Sequence, residues 1–523
     1  MIAVLSFAVV ASFAKIMTME LNHNEHMYHA ASVFVSQSQT LYKDFAYVQT
    51  PYLPLLYGTA FSLMGLDSHY LLAGKFFSFF FLMVSALILF LIGRRVLSDV
   101  VMALGIVVLF LLNLTILRLA SEISNYIMPV AFSFISFYLF SGALENRKPL
   151  TAGLAGLFAA FAIGAKLTYA GIMVPFFVAT IVHPLIGKST LLTLKKSVVS
   201  VLVPFSIGAI IGFAPMLPFV ADFEAFFFNN LGYHHLNTEW RELTNYTRPM
   251  SPYAKIFYAH MILLQPDNLI LLLGLLFGLA FSFENLADAK RDIKQLPVGA
   301  FLAALLFLIA VPTALVPTPS FFQYYAIPIS FLFLLLIYAF APKTAAMTAF
   351  CRRCLLALVV ATLAYHGPHL LRVSFDLTNR DGWLGFRVHD IAAQVRTAIA
   401  DNGADISRPV ATLSPIFALE LNLQIYSEFS TGPFTYRIGD LLTPEQRKHF
   451  VGTSQKHVKE LLSSNPPSAI IVGFEKELDD PLMEFGKMNS YKLVEIPGFD
   501  GKVFVRPAAI TEAKNPLKPS AID

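Results

Sequence analysis

Residues Glu20–Gly58 read ELNHNEHMYHAASVFVSQSQTLYKDFAYVQTPYLPLLYG. This polar, aromatic-rich stretch lies between two membrane-length hydrophobic segments, Ile2–Met19 and Tyr70–Gly93, and brings Glu25, Asp44, His23, His26 and His29 close to a bilayer. Connections between helices are ordinarily short, and ionisable groups near hydrocarbon are costly enough to point to function. A loop of this length and composition marks a polytopic membrane protein with a working surface at one interface.

Composition agrees. Of 523 residues, 56% are hydrophobic, 14% are charged and 49 are Phe, and the mean hydropathy of +0.63 lies far from that of soluble domains. A hydrocarbon core needs about 20 apolar residues per helix. About eleven segments meet this: 2–19, 70–93, 100–117, 126–143, 150–165, 167–186, 198–220, 261–283, 297–316, 322–341 and 355–371. The run from Leu150 to Pro184 is long enough for two short spans, with Gly164, Lys166 and Gly171 marking the turn. The first segment has no basic n-region and no small-residue cleavage site, so it reads as a helix rather than a signal peptide.

Charge sets the expected orientation. Arg94/Arg95, Arg147/Lys148, Lys188/Lys195/Lys196, Lys290/Arg291/Lys294 and Lys343/Arg352/Arg353 fall on alternate loops, which places those loops in the cytoplasm. Loops 20–69 and 221–260, the connection Pro317–Ser320 and everything after Arg372 then lie outside, with the N-terminus cytoplasmic. The net charge of +4 is spread over short loops and offers no face for nucleic acid. Cys351 and Cys354 flank two arginines with no further ligands nearby and read as reduced thiols.

The expected organisation is a transmembrane domain over residues 1–372, an extracytoplasmic α/β domain over 373–507 and a disordered tail over 508–523. In the second unit, short apolar runs at Pro409–Leu413, Ala469–Val472, Tyr491–Ile496 and Lys502–Val505 alternate with helix-like stretches at Pro415–Leu421, Glu445–Leu462 and Pro481–Met488. It holds no phosphate-binding glycine motif and no Cys/His cluster, so it reads as a cap or acceptor platform. No internal repeat is evident.

The run from Asn22 to Phe34 is helix-compatible, with Asn22 or Asn24 as its cap, and Glu25 and His29 share a face at helical spacing. A carboxylate there suits a general base at the membrane surface; the bland reading is an interfacial carboxylate paired with Lys43 or a histidine. Asp44, in Tyr42-Lys43-Asp44, supplies a second acid, and Gln49–Gly58 reads as a Pro-bounded amphipathic segment. The His23/His26/His29 spacing does not converge on a metal, and the His-Glu-x-x-His order is absent.

An acid just outside the first helix, an aromatic and Ala-rich helix, then Tyr-x-Asp and a Pro-Tyr-x-Pro-Leu run together resemble the GT-C superfamily of integral membrane glycosyltransferases. The likeness is to the group of protein O-mannosyltransferases, lipid A aminoarabinose transferase and rhizobial galacturonosyltransferases. It implies a polytopic α-helical protein with a C-terminal extracytoplasmic α/β domain, and inverting transfer of a hexosyl or pentosyl group from a polyprenyl-phosphate sugar to a glycan, lipid or protein acceptor. It also implies the outer face of a bacterial cytoplasmic membrane, membrane lipid as a partner and no required cofactor, a divalent cation being the alternative. The family's acid pair maps onto Asn24-Glu25, leaving Glu25 as the base and Asp44 as its helper. Gln49 and Thr50 stand where a family lysine contacts the donor phosphate, so phosphate binding passes to other groups: Lys166, Arg241, Tyr324, His234 and His235. Tyr52, Tyr233 and Trp240 are the expected sugar or acceptor contacts. Arg118, and more firmly Lys75, read as snorkelling anchors. The alternatives are a lipid-glycan flippase, a non-catalytic envelope-assembly or sensor subunit, and an O-antigen ligase or polymerase; the charges at span ends and the missing repeat count against the flippase.

Overall fold

A computed structural model describes residues 1–508 except 187–190, 247, 249, 283–295 and 342–344. Lys188, Lys290, Arg291, Lys294, Lys343 and the tail from 509 lie outside the described residues.

The chain is a bundle of apolar helices capped by a small α/β unit. Among the described residues, seven helices are long and apolar enough to cross a membrane, including Tyr70–Leu97, Ile127–Asn146 and Phe322–Ala339. Three further pairs pass together but are bent: Ile2–Thr18 with His23–Ser36 by 85°, Val100–Leu112 with Leu114–Ala120 by 61°, and Pro252–Leu263 with Pro266–Ala280 by 81°. With the shorter apolar helix Pro149–Ala165, each of the eleven expected segments has a counterpart. The breaks are chemically satisfied, as buried backbone in hydrocarbon must be. At the second, Asn113 accepts from Ile116 N and donates to Asn268, whose amide also donates to Thr115 and to the Ile262 carbonyl.

Small residues decide one close packing. Helices Pro149–Ala165 and Val203–Phe213 touch through Gly156 and Gly208: a Cβ on Gly156 would lie 1.9 Å from the Phe205 carbonyl oxygen, and one on Gly208 would lie 1.8 Å from that of Gly153. Gly208 and Gly212 form a Gly-x-x-x-Gly pattern, which lets backbones approach and gain van der Waals contact where no hydrophobic force acts between helices.

Both long polar loops carry helices. The first contains His23–Ser36 and Tyr52–Leu63; the second contains Phe223–Phe227, Tyr233–Leu243 and Pro252–Leu263. At the expected span start, Met261, helix Pro252–Leu263 is ending, and helix Pro266–Ala280 continues at 81° to it. Both loops meet the C-terminal unit on one face of the bundle, through Ser430 Oγ donating to the Ala46 carbonyl at 3.0 Å and the pair His449–Glu224 at 2.6 Å.

That unit carries four strands, β1 (Val410–Thr412), β2 (Ala469–Val472), β3 (Lys492–Val494) and β4 (Lys502–Val505), in the order β1-β2-β4-β3. β1 and β2 are parallel, with Ala411 opposite Ile470, and the other pairs are antiparallel. β1 and β2 are fully buried, which explains why they read as continuous apolar runs. Helix Leu384–Asp401, unread in the sequence, buries Val388, Ala392, Val395 and Ile399 along one stripe.

Candidate functional site

A cavity of about 1510 Å³ opens where the first loop, the second loop, the segment around Thr318 and the C-terminal unit meet. Each element brings charge or aromatic surface. Arg118 and Lys166 come from the ends of two apolar helices, Arg241 and Arg248 from the second loop, and Arg437 and Lys476 from the C-terminal unit, opposed by Glu475 and Glu477. The cations rest on rings. Lys166 Nζ lies 3.8 Å from the centroid of Tyr126 and 5.6 Å from that of Tyr324; Arg241 sits 4.0 Å over Tyr246, Arg118 4.9 Å over Phe322 and Arg437 5.3 Å over Trp240. Arg241 is 5% exposed, and its Nε and Nη1 have no hydrogen-bond partner. Buried guanidinium donors without acceptors are costly and match an anion with oxygens in a plane.

Several expected site residues meet here. Lys166, Arg241, Tyr324, His234, His235, Tyr233 and Trp240 all line the cavity. Lys166 is placed by chain geometry: helix Pro149–Ala165 ends on it, and its extended backbone turns the chain into Leu167–Ile172. Surrounding protein pushes the His234 imidazole down to about 4, with the Lys166 charge second, although the ring is accessible from within the cavity. At neutral pH His234 therefore offers an uncharged donor.

Others are placed elsewhere. Tyr52 donates to the Gly212 carbonyl and packs edge-on against Phe161 over the bare Cα of Gly164, outside the cavity lining. Asp44 is exposed and accepts from Thr40 N at 2.7 Å, so it caps a turn. Gln49 does reach the cavity, but its side-chain oxygen accepts from Asn125 at 3.0 Å. Arg118 is a lining residue rather than a snorkelling anchor.

The first-loop acid is built in. Asn22 caps helix His23–Ser36 and Glu25 closes the capping box, accepting from Asn22 N at 3.0 Å. The same carboxylate accepts from Ile123 N at 2.8 Å and from Lys75 Nζ at 2.6 Å, and both Glu25 and Lys75 are 0% exposed. The snorkelling reading of Lys75 is thus corrected: its ammonium is buried because Glu25 and the Ser121 carbonyl take its hydrogens. The histidine triplet diverges as its spacing implied. His23 pairs with Glu475 at 2.6 Å, His26 faces Phe417, and His29 stands beside Tyr70.

A second acid, Glu122, completes the arrangement and escaped the sequence reading. It sits in the turn Ser121–Tyr126 that Glu25 and Lys75 hold from behind. Its Oε1 accepts from Asn22 Nδ2 at 2.9 Å, Oε2 makes no hydrogen bond of ordinary geometry although the Asn24 side chain is close, and Glu122 stands behind the cavity lining that Asn22 and Asn24 form. Burial, reinforced by the charge of Glu25, raises its carboxyl to about 7, against the opposing pull of Lys75 and Arg118. Lys166 faces it and is pushed down to about 7 by burial. The signal available was the polar run Ser-Glu-Ile-Ser-Asn after a span; Arg437 left none.

A bent first span leading to a capped interfacial helix, a cationic cavity lined by Asn22 and Lys166, and a small α/β cap make up a fold that recurs among solved membrane proteins. Among solved structures, the lipid A aminoarabinose transferase ArnT from Cupriavidus metallidurans bound to undecaprenyl phosphate matches with a TM-score of 0.59 and 13% identity, over 96% of this chain and 97% of that one. Its apo form matches with a TM-score of 0.55 and 12% identity, over 97% and 98%. At these identities the likeness is one of fold. No protein-family model and no curated protein sequence matches the chain.

Proposed function

We propose that this protein is a membrane glycosyltransferase that moves a sugar from a polyprenyl-phosphate carrier to a hydroxyl of a glycan, lipid or protein acceptor, at the outer face of a bacterial cytoplasmic membrane. The observation that carries this reading is the cavity in which Lys166, Arg241 and Arg437 converge and whose lining residue Asn22 donates to the buried Glu122. The ArnT neighbour, recorded with undecaprenyl phosphate, supports the same ligand class on the same fold.

The donor phosphate sits among Lys166, Arg241 and Arg118, where charge-assisted donors stabilise the charge that grows on it as the glycosidic C–O bond breaks. Tyr324 and the uncharged His234, with His235 beside it, add hydrogen bonds, and Tyr233 and Trp240 offer faces to the sugar. The acceptor oxygen attacks the anomeric carbon from the opposite side and gives its proton to a carboxylate. Glu122 takes the base role first assigned to Glu25, because one of its oxygens makes no hydrogen bond of ordinary geometry and a carboxyl near 7 is matched to neutral operation. Glu25 positions it: its oxygens are occupied by Lys75, Ile123 and Asn22. The polyprenyl tail lies along Phe-rich helices, at about 0.8 kcal/mol per buried methylene.

The test is a transfer assay with a polyprenyl-phosphate sugar in detergent or liposomes. Wild type transfers sugar, and Glu122→Gln lowers kcat by about 10²–10⁴-fold with the fold intact. Wild-type turnover in Glu122→Gln removes Glu122 as base, and no transfer from any polyprenyl-phosphate sugar removes the reading itself.

A further inference from the structure

We propose that His69, His389 and Glu420 form a divalent-metal site, best suited to zinc, that fastens the C-terminal unit to the membrane bundle. None of the three lines the phosphate cavity, and the site is independent of the transfer reaction. One ligand atom from each residue lies within 4.8 Å of the others. His389 Nδ1 stands 3.7 Å from Glu420 Oε1. At that distance the two pair as ions if His389 is protonated, but neither atom makes a hydrogen bond of ordinary geometry, and nor does His69 Nδ1. The two imidazoles stack with centroids 3.8 Å apart and planes at 18°, which sets their edges side by side.

Glu420 supplies the independent observation. It is 0% exposed. Its Oε2 accepts from Leu71 N at 3.0 Å, fixing the carboxylate, while Oε1 points to His389 Nδ1 at 3.7 Å, beyond ordinary hydrogen-bond length. A buried carboxylate oxygen needs compensation; a neutral His389 at 3.7 Å supplies little of it, and the nearby Arg380 is committed to Asp390 at 2.5 and 2.9 Å. A cation between the rings and Oε1 supplies it. Two imidazoles and one carboxylate are a zinc donor set, with bonds of about 2.0–2.2 Å and a fourth position for water. Donors in such a tetrahedron stand roughly 3.3–3.6 Å apart, so the cluster closes on a metal by side-chain shifts of about 1 Å or less. His29, also 0% exposed, has Nε2 3.9 Å from the far oxygen and backs the carboxylate from the bundle side.

The topology gives the site its purpose. His69 precedes helix Tyr70–Leu97, whereas His389 and Glu420 belong to the C-terminal unit. The joint is already hydrogen-bonded there, by Asn422 donating to the Asp67 carbonyl at 2.8 Å and Tyr70 donating to Asn422 at 3.0 Å. A metal would lock that contact.

Tag-free, full-length protein in detergent is stripped with EDTA, incubated with ZnCl2 and freed of excess metal. Zinc is then counted by mass spectrometry, and thermal unfolding is followed with and without ZnCl2. Wild type is expected to retain about one zinc per chain and to melt higher with it. His389→Gln and the partly exposed double variant His69→Gln/His389→Gln, each monodisperse by size exclusion, should bind zinc more than about tenfold more weakly and show no thermal shift. Wild type that retains no zinc, or a monodisperse double variant that retains the wild-type amount, overturns the site.

Discussion

Lys75 Nζ and Glu25 Oε1 lie 2.6 Å apart with both side chains at 0% exposure, one turn into a membrane helix and at the first turn of an interfacial one. This pair ties the first loop to the second span, and through Ser121 and Ile123 it sets the turn that carries Glu122.

Removing one partner leaves an uncompensated buried charge, so Lys75→Met should destabilise by about 3–5 kcal/mol. Glu25→Gln/Lys75→Met should recover much of that loss, since two neutral groups cost less to bury than one charge. Thermal unfolding in detergent measures both. A single variant as stable as wild type would show that the pair is not what holds the loop.

Arg437 crosses from the C-terminal unit to the cavity over Trp240 and Phe434. Arg437→Ala and Arg241→Ala should each weaken undecaprenyl-phosphate binding by about 10–100-fold, the worth of a charge-assisted hydrogen bond. Arg241→Lys should recover little, because a point charge cannot replace a planar fork on Tyr246. Lipid titration by intrinsic fluorescence measures this; unchanged affinity in both alanine variants would move the phosphate elsewhere.

Glu122 and Lys166 predict a stability minimum near neutral pH. Glu122 rises from an ordinary 4.5 to about 7, so between those values the folded state holds more protons and stability falls as pH rises. Lys166 falls from 10.5 to about 7, so from about 7 to 10.5 the unfolded state holds more protons and stability rises with pH. Melting temperature across this range should dip near pH 7, and Glu122→Gln should flatten the acid side only. A curve with its maximum at neutrality contradicts both shifts.

At the helix crossing, Gly208→Val should lower the melting temperature sharply, because even a Cβ there would stand 1.8 Å from backbone. Gly367→Ala, where a Cβ meets nothing within 4 Å, should leave it nearly unchanged. The comparison is made on purified protein in one detergent.

The membrane spans were legible because a bilayer demands long apolar runs, and β1 and β2 because buried strands are short and wholly apolar. Asn22-x-x-Glu25 was equally legible as a capping box, yet its reading as a free base competed with that local role. Glu122 was not, since a single acid in a short turn looks like any loop residue until Asn22 reaches it from 100 positions away.

The sequence by itself determined that this chain crosses a membrane many times, that its long loops carry polar and aromatic side chains at one face, and that Lys166 interrupts an apolar run where a charge is costly. Only the tertiary structure decided that Glu25 is committed to Lys75 and Ile123 and that Glu122 is buried beside Asn22, that Lys75 is buried rather than snorkelling, and that Arg437 joins Arg241 and Lys166 around one cavity. Hydrophobic periodicity is local and survives in the one-dimensional chain. Ion pairs, orphaned donors and shifted carboxyls depend on distances of a few ångströms between segments tens to hundreds of residues apart, and no spacing along the sequence encodes them.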